Sequence, residues 1–440
     1  MKFMRAIIGA HHAPSGATNS KQHEQVEPTV PCFEDFHVVR AIGRGSFGKV
    51  CIVQKKDSKA YFAMKYMRKQ RCLEKDAFRN VLKEIEILAE LNHPFLVNLW
   101  YTFQDAEDLF LVFDLLLGGD LRYHLNQEAR FAEDRVKLYV CEVALALDYL
   151  QRNHIVHRDV KPDNIVLDDD GHAHIADFNI ATRLQPDSLA TSLTGTRPYM
   201  APEVYSTVLK EDVGYDQAVD WWSLGVCMYE MLRGRRPFDI HLEMTNRECR
   251  DLLISTTVII PAEWSNDLVS FLSSLLHRNP KRRVHTLDAL RAQAYMQRIR
   301  FEDVLRRRTA PVFIPNQDSL NCDPSYELEE MIIEPRPLHK KKKRLDRKSK
   351  SVESESGSKE KEKQQLQEDE DPMQELLERM TAQFKLYNRE HILRDEEERL
   401  KKLEEELGIR PPPELDPLGK RLGREDSISK EPKTKKASTS

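Results

Sequence analysis

The sequence predicts an α+β chain of two unlike lobes: a small β-rich lobe with one main helix, then a larger, mostly helical one. Three observations predict it. A strand, a glycine-rich turn and a second strand follow one another between Phe36 and Val53. The run Leu115-Leu116-Leu117-Gly118-Gly119 makes a flexible joint that ends the strand-rich part near residue 115. Beyond it, apolar residues recur at helical spacing to about residue 296.

Composition bounds the answer first. At 440 residues the chain is long enough for two core-sized units plus tails. It is 40% hydrophobic and 32% charged, with a formal net charge of -4, which argues against a sequence-specific nucleic-acid binder acting through its overall charge. Seven cysteines (Cys32, Cys51, Cys72, Cys141, Cys227, Cys249, Cys322) are scattered, with no CxxC pair and no Cys/His metal spacing, so reduced thiols are expected. The start, MKFMRAIIGAHH, has too short an apolar run for a signal peptide, and Lys at position 2 excludes myristoylation. The apolar run Leu109 to Leu117 is broken by Asp114 and too short for a bilayer. An intracellular, cytoplasmic chain that is not transmembrane is expected.

Residues 1–31 are polar and aperiodic and read as a disordered lead-in. Phe36 to Ile42 alternates as a strand does. Gly43-Arg44-Gly45-Ser46-Phe47-Gly48 follows, then Lys49-Val50-Cys51-Ile52-Val53. Glycines let a backbone approach phosphates with its amides facing them. A dinucleotide-binding unit uses the same GxGxxG but continues into a helix; here β-branched residues and the turn Lys56-Asp57-Ser58 follow instead. The next strand, Tyr61 to Lys65, sets one Lys in apolar surroundings. A helix is predicted over roughly Asp76 to Leu91, with Val81, Leu82, Ile85, Leu88 and Leu91 on one stripe. Glu84 lies beside that stripe with the best spacing to meet Lys65; Glu86 and Glu90 are the alternatives. Strands are predicted at Leu96–Trp100 and Leu109–Phe113. Asp120 opens the next helix, either as an N-cap or as a ligand of a ribose or a basic substrate residue. Tyr139 to Leu150 reads as a buried helix, and Asp220 to Met231 as another.

The densest chemistry lies in His157-Arg158-Asp159-Val160-Lys161-Pro162-Asp163-Asn164, followed after a short apolar strand pair by Asp177-Phe178-Asn179. Asp, Lys and Asn at this spacing, with a second Asp shortly after, suit phosphoryl transfer from a magnesium nucleotide. One Asp orients and deprotonates a hydroxyl, Asn and the second Asp hold metal, and Lys steadies the transferred phosphate.

These motifs fall in a known order. Gly43-x-Gly45-x-x-Gly48-x-Val50, Ala63-Met64-Lys65, Glu84, His157-Arg158-Asp159, Asn164, Asp177-Phe178, Ala201-Pro202-Glu203, Asp220-x-Trp222 and Arg283 together resemble a eukaryotic protein kinase. The Lys65-to-Glu84 gap (84 − 65 = 19), Asp220-Trp221-Trp222-Ser223-Leu224-Gly225 and Gly195 through Glu203 are similar to AGC-group kinases. A finer resemblance, to the YANK family (serine/threonine kinase 32), rests on Asp177-Phe178-Asn179-Ile180-Ala181, on Leu115 through Leu125, and on Pro337-Leu338-His339-Lys340 through Arg344. It covers about residues 33 to 345.

The resemblance implies a bilobal protein kinase fold over 32–296, with the small lobe ending near 115, and an AGC-like tail over 297–345. It implies a serine/threonine kinase moving the ATP γ-phosphate to Ser or Thr hydroxyls of protein substrates. Asp159 would be the catalytic base and Lys161 would steady the γ-phosphate. Lys65, paired with Glu84, would hold the α- and β-phosphates, and Asn164 and Asp177 would hold Mg2+ or Mn2+. ATP would lie against Ile42, Gly43, Arg44, Gly45, Ser46, Phe47, Gly48, Lys49, Val50, Lys65, Asp114, Leu116 and Asp120, with Phe113 as a bulky gatekeeper. Glu203 with Arg283, and Asp220, are expected to be structural. The rival reading from another class is a pseudokinase scaffold; retention of Lys65, Asp159, Asn164 and Asp177 favours the enzyme.

Two features depart from or extend the pattern. Asn179 replaces the glycine of the usual DFG; Asn tolerates φ > 0 better than other non-glycine residues, so the turn is expected to survive with an altered flip equilibrium. Ser192 falls where an AGC activation phosphosite would, with Arg158 available to bind its phosphate; a plain exposed loop Ser is the alternative. Asp120, Asp163 and Glu230 could recruit basic substrate residues, which Arg122 and Arg197 complicate.

The C-terminal third is read by composition. Tyr326 in the tail would approach the nucleotide by resemblance, whereas no terminal aromatic docking motif is evident. The basic run near 340–350 suits a nuclear import signal, an anionic-lipid patch or a solvated linker. Residues 346–371 read as a disordered linker. Met373, Leu376, Leu377, Met380, Phe384 and Tyr387, then Leu400, Leu403 and Leu407, predict one amphipathic helix over 372–410 that docks on the kinase lobes or binds a partner. Residues 411–440 read as a disordered tail.

Overall fold

Alternating apolar residues build the small lobe from an antiparallel sheet of six strands. The computed structural model describes residues 31–44, 48–74, 77–318, 321–322 and 372–407. Readings on 1–30, Gly45 to Phe47, Tyr326, the basic run, the 346–371 linker and the 411–440 tail lie outside the described residues. The first five strands are β1 (Phe36–Arg44), β2 (Lys49–Lys55), β3 (Tyr61–Arg68), β4 (Leu99–Gln104) and β5 (Asp108–Phe113). β5 lies inside the sheet between β3 and β4. It therefore buries both faces: Leu109, Leu111 and Phe113 join one core, Phe110 and Val112 the other. The outer face is a stack of rings, with Phe36 on Phe103 at 5.6 Å and Phe103 on Phe110 at 4.9 Å between centroids.

The inner face carries α1 (Lys69–Glu74) and α2 (Phe78–Ala89). In α2 the apolar stripe Val81, Ile85 and Leu88 is buried, and Glu84 on the same face is buried with it. The helix ends two residues earlier than its apolar pattern, because Leu91 N bonds to Leu88 O in a tighter closing turn.

The large lobe follows β6 (Gly119–Asp120) and begins with α3 (Leu121–Glu128), capped by Asp120 Oδ1, which accepts from Tyr123 N at 2.7 Å. Its core helices are α4 (Glu133–Arg152) and, after β7 (Ile155–Val156), β8 (Ile165–Leu167), β9 (Ala173–Ile175), β10 (Thr182–Arg183) and α5 (Pro202–Val208), the helix α6 (Ala218–Arg233). All residues of α6 from Ala218 to Leu232 are buried, Asp220 and Glu230 among them. The short helices α7 (Asn246–Ser255), α8 (Asn266–Leu275), α9 (Leu287–Arg291) and α10 (Phe301–Leu305) complete the lobe. The stretch His157–Asn164 is held between the small sheet β6-β8-β9 and the pair β10-β7. Among the described residues no helix is long and apolar enough to cross a membrane.

The single helix expected over 372–410 is interrupted. α11 (Pro372–Gln383) is followed by β11 (Tyr387–Asn388) and α12 (Arg389–Leu407). The break has a physical cause: residues 387 and 388 pair antiparallel with Thr102 and Tyr101 of β4, and a residue cannot serve a sheet ladder and a helix at once. Met380 and Phe384, 1% and 5% exposed, sink into the core shared with α2. Thr102 Oγ1 donates to Lys385 O at 2.6 Å, Lys69 Nζ to Thr381 Oγ1 at 2.8 Å, and Tyr387 Oη to Ala89 O at the end of α2 at 3.2 Å. Phe384 and Tyr387, two aromatics of the expected amphipathic stripe, thus pack on the small lobe. Residues 390–440 form a separate unit. Its described part is the remainder of α12, with i,i+4 ion pairs His391–Asp395 at 2.9 Å and Lys401–Glu397 at 2.7 Å.

Candidate active site

A cleft of about 670 Å³ lies between the lobes, lined by residues from both. Of the residues expected to face a nucleotide, Ile42, Gly43, Val50, Lys65, Asp114, Leu116 and Asp120 line it, as does Phe113. Lys49 is on β2 but does not line the cleft. Gly45, Ser46 and Phe47, and the side chain of Arg44, lie outside the described residues. Gly48 has a reason to be glycine besides the nucleotide: a Cβ there would collide with Tyr66 O on β3.

Lys65 and Glu84 meet as their spacing predicted. Nζ lies 2.9 and 3.0 Å from the two Glu84 oxygens and 3.5 Å from Asp177 Oδ1. Burial alone would lower the Lys65 pKa, but the Glu84 and Asp177 carboxylates outweigh it and raise it, so the ammonium stays charged. The alternative partners are used elsewhere: Glu86 pairs with Lys385 at 2.8 Å and Glu90 with Arg183 at 2.5 Å.

Asp159 gathers three side chains. Thr196 Oγ1 donates to its Oδ1 at 2.5 Å, Lys161 Nζ to Oδ2 at 2.8 Å, and Asn164 Nδ2 to Oδ2 at 2.8 Å and to its carbonyl at 2.9 Å. Burial pushes the Asp159 pKa up, yet the bonds from Lys161 and Thr196 win and hold it below the ordinary carboxylate value. The loop is fixed from beneath by buried Asp220, whose oxygens accept from His157 N at 2.7 Å and Arg158 N at 2.8 Å. That grip holds Arg158 at φ +69, a region costly for a side-chain-bearing residue. The structural roles expected for Asp220 and for Glu203 with Arg283 match this geometry; Arg283 Nη2 is 2.9 Å from Glu203 Oε2, and both side chains are buried.

Asn179 behaves differently from expectation. The positive φ in this turn belongs to Asp177, at +63, and Asn179 is not among the residues with positive φ. Its tolerance of that region is therefore not what preserves the turn. Its amide instead reaches Asp177 Oδ2 at 3.3 Å, while Phe178 is buried 4.8 Å from the His157 ring.

Other features were not legible. Asp114 is tied sideways, accepting from Asn98 N at 2.9 Å and Trp100 Nε1 at 2.6 Å. Cys322 lines the cleft from a distant part of the chain, beside Asn321, whose Nδ2 donates to Leu117 O at 2.9 Å. Gly119, at φ +77, makes room for that segment, since a Cβ would meet Asn321 O. Ser192, in contrast, lies beside Arg158 as its sequence position predicts: its hydroxyl accepts from Arg158 Nη1 at 2.9 Å and from Thr194 Oγ1 at 2.9 Å.

A buried Lys–Glu pair from the small lobe and an Asp–Lys–Asn–Asp set from the large one, facing one interlobe cleft, define a protein kinase. The family described as "Protein kinase domain" matches residues 36–296, and the chain belongs to it. It is a serine/threonine-protein kinase: mouse serine/threonine-protein kinase 32C is 51% identical over 365 residues, 83% of this chain and 73% of that protein. Human serine/threonine-protein kinase 32B is 49% identical over 364 residues, 83% of this chain and 86% of that protein. A more distant relative, the RAC family serine/threonine-protein kinase homolog of Dictyostelium discoideum, is 36% identical over 301 residues, 66% of this chain and 65% of that protein.

Proposed function

We propose that this kinase moves the ATP γ-phosphate to Ser or Thr hydroxyls of protein substrates with Asp159 as its base, Lys161 and Lys65 as phosphate holders, and Asn164 and Asp177 as ligands of Mg2+. The observation that carries this is the convergence of Thr196, Lys161 and Asn164 on one depressed carboxylate at the cleft. Asp159 stays ionised at neutral pH and can accept a hydroxyl proton. Lys161, already bridging Asp159 and Thr196 at 2.8 Å from each, supplies a fixed positive charge beside the acceptor.

The donor set suits a hard divalent cation. Asp177 offers carboxylate oxygen, and Asn164 uses its amide nitrogen on Asp159, leaving oxygen as its remaining ligand atom. When bound, Mg2+ or Mn2+ would neutralise charge developing on the phosphate oxygens. Lys65 reaches toward Asp177 from the far side, so Glu84, Lys65 and Asp177 form a charge chain across the cleft.

The test is transfer of labelled phosphate from ATP to protein substrates by the full chain beside Asp159→Ala. Loss of at least about 10³-fold in kcat is expected on removing a base of this kind together with its positioning contacts. Equal signal from both proteins would sink the assignment.

A further inference from the structure

Beside Asp159 a second groove of about 730 Å³ opens. Lys161 and Thr196, both bonded to Asp159, form one wall. Asp163 and Glu230, the acids that could have received a basic substrate residue, also line it. Both are already engaged by the chain's own arginine. Arg122 Nη1 donates to Glu230 Oε1 at 3.0 Å, Nη2 to Tyr199 Oη at 2.6 Å, and Nε to Asp163 Oδ2 at 3.4 Å. Tyr199 Oη in turn donates to the other Glu230 oxygen at 2.6 Å. Glu230 is only 6% exposed, so an incoming guanidinium would have to displace Arg122 from a largely desolvated contact.

The charge left open in the groove is net positive, two exposed arginines against one exposed acid, Asp239. Arg235 and Arg236, on the turn after α6, line it and are exposed, and neither makes an ion pair or side-chain hydrogen bond among the described residues. Gly234 at φ +76 closes α6 and sets this turn. Asp239 also lines the groove, 3.2 Å from His241.

We propose that Arg122 is a specificity-determining residue: by occupying buried Glu230 it excludes a basic substrate side chain there, and its longer contact at 3.4 Å offsets the charge of half-exposed Asp163. Arg235 and Arg236 are thereby left to select protein substrates with Asp or Glu beside the Ser or Thr acceptor. This deepens the phosphotransferase reading above and rests on it. The acids of the groove serve as an internal counter-ion for Arg122, and the preference is set as much by that exclusion as by the attraction of the two exposed arginines.

The test uses the full chain and Ser peptides in an alanine background, with Arg, Glu or Ala placed at each flanking position in turn. For wild type, kcat/KM for the best Glu peptide should exceed that for the matching Arg peptide about tenfold. Arg122→Ala should raise the Arg-to-Glu ratio about tenfold, and Arg122→Lys should restore part of the discrimination. Arg235→Glu/Arg236→Glu lies on an exposed turn and keeps the proposal testable should Arg122→Ala not fold; it should invert the preference. A wild type that favours Arg peptides, or ratios unchanged within about twofold in the variants that fold, overturns the proposal. Transfer to the Ala peptide would then leave the phosphotransferase reading standing, whereas no transfer to any peptide or protein would bring down both.

Discussion

Replacing Phe384 with alanine should release residues 372–389 from the small lobe. The Phe384 ring is 5% exposed and packed in the core that also holds α2. Truncating such a ring costs about 3 kcal/mol, near the low end for a packed Phe→Ala change, because a peripheral segment can relax. That is about two decades in the ratio of docked to released segment. Met380, 1% exposed, is the second apolar anchor and stays in place; the polar contacts are weaker restraints. The Lys385–Glu86 pair is more than half exposed and contributes about 0–1 kcal/mol. Each hydrogen bond, such as Thr102 to Lys385 O, contributes about 1 kcal/mol. Hydrogen exchange reads the outcome directly. Amides of Phe384, Tyr387 and Asn388 should lose protection, and so should the last turn of α2, where Tyr387 Oη holds Ala89 O. Protection in β5, inside the sheet, should stay. Since Glu84 rides on α2, kcat/KM for ATP should fall alongside. Unchanged protection at Tyr387 and Asn388 would refute the reasoning, whatever happened to activity.

Three other outcomes follow from the geometry. Asp168 is buried, which pushes its pKa up, but His174 at 3.2 Å and Arg307 bring it down to about 2. A depressed carboxylate stabilises the fold above its unfolded value and loses that contribution as pH falls toward 2. About 2–3 kcal/mol of stability should therefore disappear between pH 5 and 2, and urea titrations of Asp168→Asn should lack that portion of the pH dependence. Asp220→Ala strips both amide anchors from beneath His157 and Arg158, so kcat should fall at least about 10²-fold while the ATP KM moves little; an unchanged kcat would show that the loop holds itself. If Ser192 is a phosphosite bound by Arg158, phosphatase treatment and Ser192→Ala should lower activity to the same level, and full activity after both would remove that switch.

Sequence carried the central constellation well because its members are set by chemistry at short spacing. Asp159, Lys161 and Asn164 share one loop, and Lys65 and Glu84 sit on a strand and the helix that packs over it. Spacing also chose Glu84 correctly over Glu86 and Glu90, since only the stripe-facing acid is buried. What stayed hidden depends on tertiary pairing. The pattern over 372–410 is helical throughout, and nothing local announces that residues 387 and 388 will join a strand nearly 300 residues earlier. Asn179 misled because φ propensity points to a residue type, while the turn placed its strained backbone on Asp177. Arg122 showed as a complication, but a charge list could not say that one side chain would engage both Asp163 and Glu230.

The closing strand has a consequence for how the chain is made. Thr102 meets Lys385 across a separation of 283 residues. At ribosomal speeds of about 5–20 residues per second, the edge of β4 would wait roughly 15 to 60 s for its partner. During that interval an unpaired ladder faces solvent, the kind of surface on which nascent chains stick to one another. The last segment synthesised in the 1–389 unit is thus the one that seals its sheet. A protein cut back to residues 36–296 would keep the whole catalytic constellation and leave that seam permanently open, so its yield and tendency to associate would report on β11 more sensitively than its turnover does.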